Sequence, residues 1–157
     1  MRHVVSLFVA IACTMSHAAA FQTRSGGAAS ATPSACSLLT PDIVKKYIDE
    51  RAIKLLKPDD SPVGTKGTSC EYGRIGLRMN PLGEGTAPKS LSKDWQPVTG
   101  VGNAAFYDSS SRQYAELIVW TGRHHFGIQL GVPTGGTIES TRTEAIALAN
   151  DIIKKLP

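Results

Sequence analysis

Four sets of residues in this chain have types and spacings that could carry chemistry. The segment GVGNAAFYD, residues 100–108, holds Gly100-x-Gly102-x-x-Ala105, the spacing of a dinucleotide-binding loop. His124 and His125 are adjacent and could offer metal-ligating imidazoles. Ser109, Ser110 and Ser111 could supply a nucleophile beside a histidine. Cys36 and Cys70 could form a bridge, a thiolate or half of a metal site.

Each set is judged by its context. A dinucleotide loop needs a buried strand before its first glycine and a helix after its last, because the helix N-terminus receives the pyrophosphate. Here SKDWQPVT precedes the glycines and FYDSSSRQY follows them, so neither element is available. The acid that would hold a ribose about 20 residues on is also missing. The glycines therefore read as a tight bend that delivers Ala104, Ala105 and Phe106 into a sheet, and no cofactor is expected. His124 and His125 are consecutive in a strand-like stretch and point to opposite faces, so they do not chelate one ion together. No HExxH or paired-cysteine spacing completes a zinc set, and no metal is expected. The serines lack a G-x-S-x-G elbow, and DSSSRQ reads as a hairpin turn. Catalytic residues are therefore not assigned. Paired carboxylates can converge in any folded chain, so glycoside chemistry stays open.

The N-terminus sets the compartment. Arg2 and His3 precede an apolar run from Val4 to Met15, and Ala18-Ala19-Ala20 supplies a small-residue cleavage pattern before Phe21. Residues 1–20 read as a signal peptide for periplasmic or secreted export. The run is too short for a membrane span of about 20 residues. AIAC ending at Cys13 offers a lipoprotein signal as the alternative. Residues 21–35, FQTRSGGAASATPSA, form a flexible leader, and one domain occupies 36–157. Cleavage leaves Cys36 and Cys70 as the cysteines of an exported chain, which favours a disulfide. Removing Arg2 lowers the formal charge from +4 to +3. The positive residues form no stripe interleaved with aromatics, so nucleic acid is not an expected partner.

The elements that must position these residues follow from hydrophobic periodicity. TPDIVKKYIDERAIKLL reads as a helix capped by Thr40, with Pro41 in its first turn and Ile43, Val44, Tyr47, Ile48 and Leu55 on one stripe. KPDDSPVGTKGTS is a breaker stretch. CEYGRIGLRMN alternates as one strand with Ile75, Leu77 and Met79 on one side. A long loop through PLGEGTAPKSLSKDWQP follows, and Trp95 in it reads as a plug over a sheet edge ahead of a ligand contact. Three further strands lie in NAAFYD, QYAELIVWT and HHFGIQLGV, the last two joined as a hairpin through Thr121-Gly122-Arg123. His124, Phe126, Ile128 and Leu130 share one face of the last strand. A final helix has Thr141 and Glu144 as its expected capping box and buries Ala145, Leu148, Ala149, Ile152, Ile153 and Leu156. The expected fold class is α+β: an antiparallel sheet of about four strands with an N-terminal and a C-terminal helix on one face.

CSLLT before a helix, then CEY, then VTGVGNAAFY, and a closing EAIALANDIIKKL together carry a resemblance. The chain resembles, over roughly 36–156, a family of small exported proteins and lipoproteins best known from actinobacteria that has no assigned activity. Asn103 stands where that family has an acid, and a convincing lipobox is missing. The resemblance implies a domain, an exported location and a Cys36–Cys70 bridge, but no catalytic residues.

With the helices on one face, the outer face presents Tyr114, Glu116, Ile118 and Trp120, joined by His125 and Gln129. Exposed aromatic residues beside polar ones suit recognition of an envelope protein or a small ligand. Tyr114, Glu116, Trp120, His125 and Trp95 form the candidate binding face. Its alternative is burial under the long loop or a dimer partner. The expected function is a non-enzymatic binding or interaction module, with a cell-envelope hydrolase or accessory factor as the alternative.

Overall fold

The computed structural model describes residues 32–48, 53, 58, 60–63, 67–80 and 93–157. The signal peptide, Cys13, the leader up to residue 31, Leu55 and most of the long loop lie outside the described residues. Two short helical segments, α1 (Ala35–Leu38) and α2 (Pro41–Val44), lead into the sheet. The strands are β1 (Ser61–Val63), β2 (Gly67–Tyr72), β3 (Ile75–Asn80), β4 (Trp95–Val98), β5 (Ala104–Asp108), β6 (Tyr114–Trp120) and β7 (His125–Gly131). Helix α3 (Ile138–Ile153) follows. The seven strands form one sheet in the order β1-β2-β3-β7-β6-β5-β4, and every neighbouring pair is antiparallel.

The α+β class holds, but the described residues form a sheet of seven strands rather than about four. CEYGRIGLRMN is not one strand; the chain reverses within it. Tyr72 pairs with Ile75 across a two-residue turn, and Gly73 supplies the left-handed backbone (φ 57°) that the first position of such a turn requires. The breaker stretch yields β1 and the start of β2. Trp95 begins the outermost strand, β4, pairing with Asp108, so it is not a loop residue. Both outermost strands are short and carry a proline, Pro62 or Pro97, which is compatible only with an edge position.

The helices also differ in their ends. The expected N-terminal helix is helical from Pro41 to Val44, and its backbone continues in turns to Ile48. Thr40 makes no side-chain cap; its hydroxyl accepts from Lys155 Nζ at 3.3 Å instead. The capping box of α3 is Thr137 with Ser140, four residues before the expected Thr141 with Glu144. Thr141 is one turn inside, buried, and its hydroxyl donates to the Thr137 carbonyl at 2.8 Å. Glu144 is taken by Arg74 at 2.6 Å.

The core lies between the sheet and the helices. Ile75, Leu77 and Met79 of β3, Ala115, Leu117 and Val119 of β6, and Phe126, Ile128 and Leu130 of β7 all point inward and are buried. Against them α3 places Ala145, Leu148, Ala149 and Ile152, whose alternation of small and large side chains lets the helix approach closely. Leu38, Leu39, Ile43 and Val44 extend the same core over β2 and β3.

Polar ties fix the outer parts to it. Arg74 reaches from the β2–β3 turn to the carbonyls of Tyr47 (2.7 Å) and Gly131 (3.0 Å) as well as to Glu144. Asp151 of α3 accepts from Lys46 (2.8 Å) and Tyr47 (3.2 Å). Its carboxyl lies below the ordinary carboxylate range, chiefly through the Lys46 hydrogen bond. Tyr47 is pushed up to about 12 by burial and by that carboxylate.

Segment α1 is too short to be stable alone and is held from outside. Ala35 N–H donates to Thr68 Oγ1 at 2.8 Å and Cys36 N–H to Asp60 Oδ1 at 2.9 Å. Cys36 is disulfide-bonded to Cys70 on β2, with Cα atoms 5.1 Å apart. The bridge spans 34 residues of sequence, a loop worth about 4 kcal/mol in the chain-entropy account. Replacing both cysteines by serine is expected to lower the unfolding free energy by about 3–4 kcal/mol, measured by urea titration. Thiol titration of the unreduced protein is expected to find neither Cys36 nor Cys70.

Candidate functional site

The pleat of the sheet sends alternate side chains away from the helices, and the strand register arranges them in rows. One row runs Glu71, Gly76, Gln129, Glu116 across β2, β3, β7 and β6. The next runs Ser69, Arg78, Gly127, Ile118, Phe106. A third holds Asn80, His125 and Trp120. Strands lie about 4.8 Å apart and rows about 6.8 Å apart.

Two of these outward positions are glycines on neighbouring strands. Above Gly76 and Gly127 the face sinks into a shallow depression of about 160 Å³. Glu71 and Ser69 form one bank and Glu116 and Ile118 the other; Arg78, Asn80, His125 and Gln129 complete the lining. A second hollow shares Glu71, Gly76 and Gln129 and extends past Tyr114 and Gly131. Together they make a trough along the β3–β7 seam.

The five expected face residues all lie on the side of the sheet away from α3, but they do not form one cluster. Glu116 and His125 line the depression, together with Ile118 and Gln129. Tyr114 lines the adjoining hollow. Trp120 is not an exposed aromatic: it is only 8 % exposed. Its indole stacks on His125 (4.5 Å between centroids, 9° between planes) and meets Phe106 edge-on at 5.8 Å. Its role is to back the His125 ring. Trp95 stands on β4 opposite Asp108, outside the trough lining. The adjacent histidines do face opposite ways. His124 is buried on the helix side with neither ring nitrogen hydrogen-bonded among the described residues. No group of three or more potential metal ligands converges among the described residues.

Sequence reasoning did not pick out Glu71, Arg78, Asn80 and the two glycines. Their signal was present: a glycine inside an alternating strand marks a close approach or a missing side chain. Other described glycines, Gly102 among them, have a backbone reason. At Gly102 φ is +58°, and an added Cβ would sit 2.5 Å from the Trp120 carbonyl oxygen. The GVGNAA glycines thus make the bend that lets Asn103 N–H reach that carbonyl at 2.7 Å. Gly127 has no such reason. Its backbone is ordinary, and a Cβ there would meet nothing within 4 Å. At Gly76 a Cβ would make only normal contacts, 3.7 Å at the nearest. Both glycines cost backbone entropy, roughly 0.5–1 kcal/mol each relative to alanine, and what they provide is space.

The charges over that space are unspent. Glu71, Arg78 and Glu116 make no hydrogen bond or salt bridge among the described residues. On the helix side Arg74, Asp151 and Glu144 are paired, and Arg142 lies 4.1 Å over the Tyr107 ring. Burial raises the Glu116 carboxyl, the Asp108 carboxylate raises it further, and Arg78 opposes the shift only in part. The trough therefore holds a carboxylate lacking a full counter-charge.

No family model, no curated protein and no solved structure matches this chain.

Two outcomes follow for variants. Gly127→Val is expected to raise unfolding free energy by roughly 0.5–1 kcal/mol, whereas Gly102→Ala should lower it by more than about 1 kcal/mol; urea titration compares them. Because folding raises the Glu116 carboxyl, its contribution is favourable below the ordinary carboxylate range and is lost as pH rises through the raised value. Glu116 faces Asp108 and Arg78, with His125 in the same depression. Glu116→Gln should therefore melt above the parent at neutral pH, and calorimetry should show the gap closing in acid.

Proposed function

We propose that this chain is an exported, non-enzymatic binding module whose site is the trough on the open face of its sheet. The observation that carries the reading is the pair of seam glycines, Gly76 and Gly127, which hold space beneath unpaired Glu71, Arg78 and Glu116. A sheet face needed only for solubility would gain stability from β-branched residues at these two positions. Its partner is a small ligand, or the exposed part of an envelope protein.

Export is supported by the signal-like N-terminus and the Cys36–Cys70 bridge, which persists in an oxidising compartment. Among the described residues no helix is long and apolar enough to cross a membrane. The resemblance to small exported proteins of actinobacteria agrees with this location, and we assign periplasmic or secreted residence on these grounds.

One observation favours a second reading, a cell-envelope hydrolase: the raised Glu116 carboxyl shares its depression with His125. Acid–base hydrolysis needs a second group poised across the scissile bond. The other trough carboxylate, Glu71, stands on the opposite bank, with Gly76 and Gln129 between them in the row. The binding reading is therefore the stronger.

Amide chemical-shift mapping tests it with four probes: a dipeptide, a disaccharide, a diamine and a dicarboxylate. At least one should shift the Gly76, Gly127 and Gln129 amides of the parent, and Gly127→Phe, which fills the trough, should abolish the effect. Shifts confined to other surfaces, or unaltered in Gly127→Phe, would overturn the assignment.

A further inference from the structure

The trough is polar along its length as well as hollow. The Glu71–Glu116 row carries the carboxylates, and the cation that borders it, Arg74 in the adjoining hollow, is already bound to Glu144. The next two rows present hydrogen-bond donors: Arg78 with Ser69, then Asn80 with His125. One end thus attracts positive charge and the other negative charge, with the floor between them formed by Gly127 beside Ile118. The charged groups of both ends are free of partners among the described residues at Glu71, Arg78 and Glu116.

We propose that the trough binds a linear zwitterion of dipeptide length, its ammonium end on the Glu71–Glu116 row and its carboxylate end on Arg78 in the next row. The inference rests on the trough being the ligand site. Charge complementarity selects the class: a simple amine would be repelled by Arg78, and a simple carboxylate by Glu71 and Glu116. Length follows from the register. Adjacent rows are about 6.8 Å apart, and an extended chain covers about 3.3–3.6 Å per residue. Two residues therefore span one row to the next, whereas a free amino acid reaches one end only. Arg78 offers a planar fork for a carboxylate, and Glu116 accepts from an ammonium. His125, braced by the Trp120 indole at 4.5 Å, walls the carboxylate end.

Calorimetric titration with alanyl-alanine, N-acetyl-alanyl-alanine, alanyl-alanine amide and alanine tests this. The free dipeptide should bind, and each blocked form and alanine should bind roughly tenfold or more weakly, since each loses a charge-assisted contact. Arg78→Gln should erase the preference for the free carboxylate while keeping that for the free amine; Glu116→Gln should do the reverse. This crossed pattern is one that a merely structural role would not produce, and both are surface substitutions whose fold is checked by circular dichroism. Equal binding of free and blocked forms would overturn the proposal. So would silence from the dipeptide while another probe shifts the Gly127 amide, an outcome that leaves the trough intact as a site. Silence at that amide from every probe would remove the site and this ligand together.

Discussion

The pairing of β3 with β7 is the constraint on which the rest of the molecule depends. β1, β2 and β3 form one meander and β4 to β7 another, each built from strands close in sequence. The register from Ile75–Leu130 to Asn80–His125, extended by the Arg74–Gly131 hydrogen bonds, joins them. Those partners are roughly fifty residues apart, so the seam carries most of the loop-closure entropy of the fold. On one side it brings Ile75, Leu77 and Met79 beside Phe126, Ile128 and Leu130 and creates the surface on which the helices pack. On the other side the same register sets Gly76 beside Gln129 and Arg78 beside Gly127, which opens the trough. Core and site are two faces of one pairing.

Electrostatics divides along the same plane. Charges on the helix side act as ties: Arg74 joins two backbone carbonyls and the Glu144 carboxylate, and Asp151 holds the α2 region against α3. On the open side Asp108 accepts from Ser110 N–H, while Glu71, Arg78 and Glu116 make no such tie among the described residues. Exposed pairs contribute little to stability in any case, so leaving Glu71 and Arg78 unpaired costs the fold almost nothing. Half-buried Glu116 is the exception, since its raised carboxyl records a real desolvation cost. Polar ties thus gather on the helix side, and unpaired Glu71, Arg78 and Glu116 gather on the other.

The sequence made the inward faces plain, because burial imposes a period that can be read directly. Ala115, Leu117 and Val119, the alternation through His124 to Leu130, and the stripe of α3 were all legible this way. The hairpin within CEYGRIGLRMN departs from the single strand expected there, although its sign is in the sequence. Cys70 and Tyr72 fall on even positions and Ile75, Leu77 and Met79 on odd ones, so a single strand would bury only one set. Burying both demands a reversal between them, and Gly73 provides it. Trp95–Val98 was hidden because edge strands need neither length nor alternation. The α3 start was misplaced by one turn because Thr137 and Thr141 offer the same cap chemistry, and only packing chooses between them. The open face was least legible. Parity placed Glu116 and His125 on it, but which strand lies beside which follows from a long-range register that no local pattern encodes. Parity alone leaves Trp120 exposed, because it says nothing about lateral neighbours such as Phe106 and His125.

The prolines at the two rims of the sheet have a consequence for life at high concentration. An open seven-stranded sheet would ordinarily be a template, able to recruit further strands and grow into ordered aggregates. Pro62 and Pro97 interrupt both outermost strands, so neither rim offers an unbroken run of donors to an incoming chain. Growth by strand addition is thus disfavoured at both rims of the described sheet. Resistance to edge pairing therefore rests on two exposed prolines that add nothing to the core.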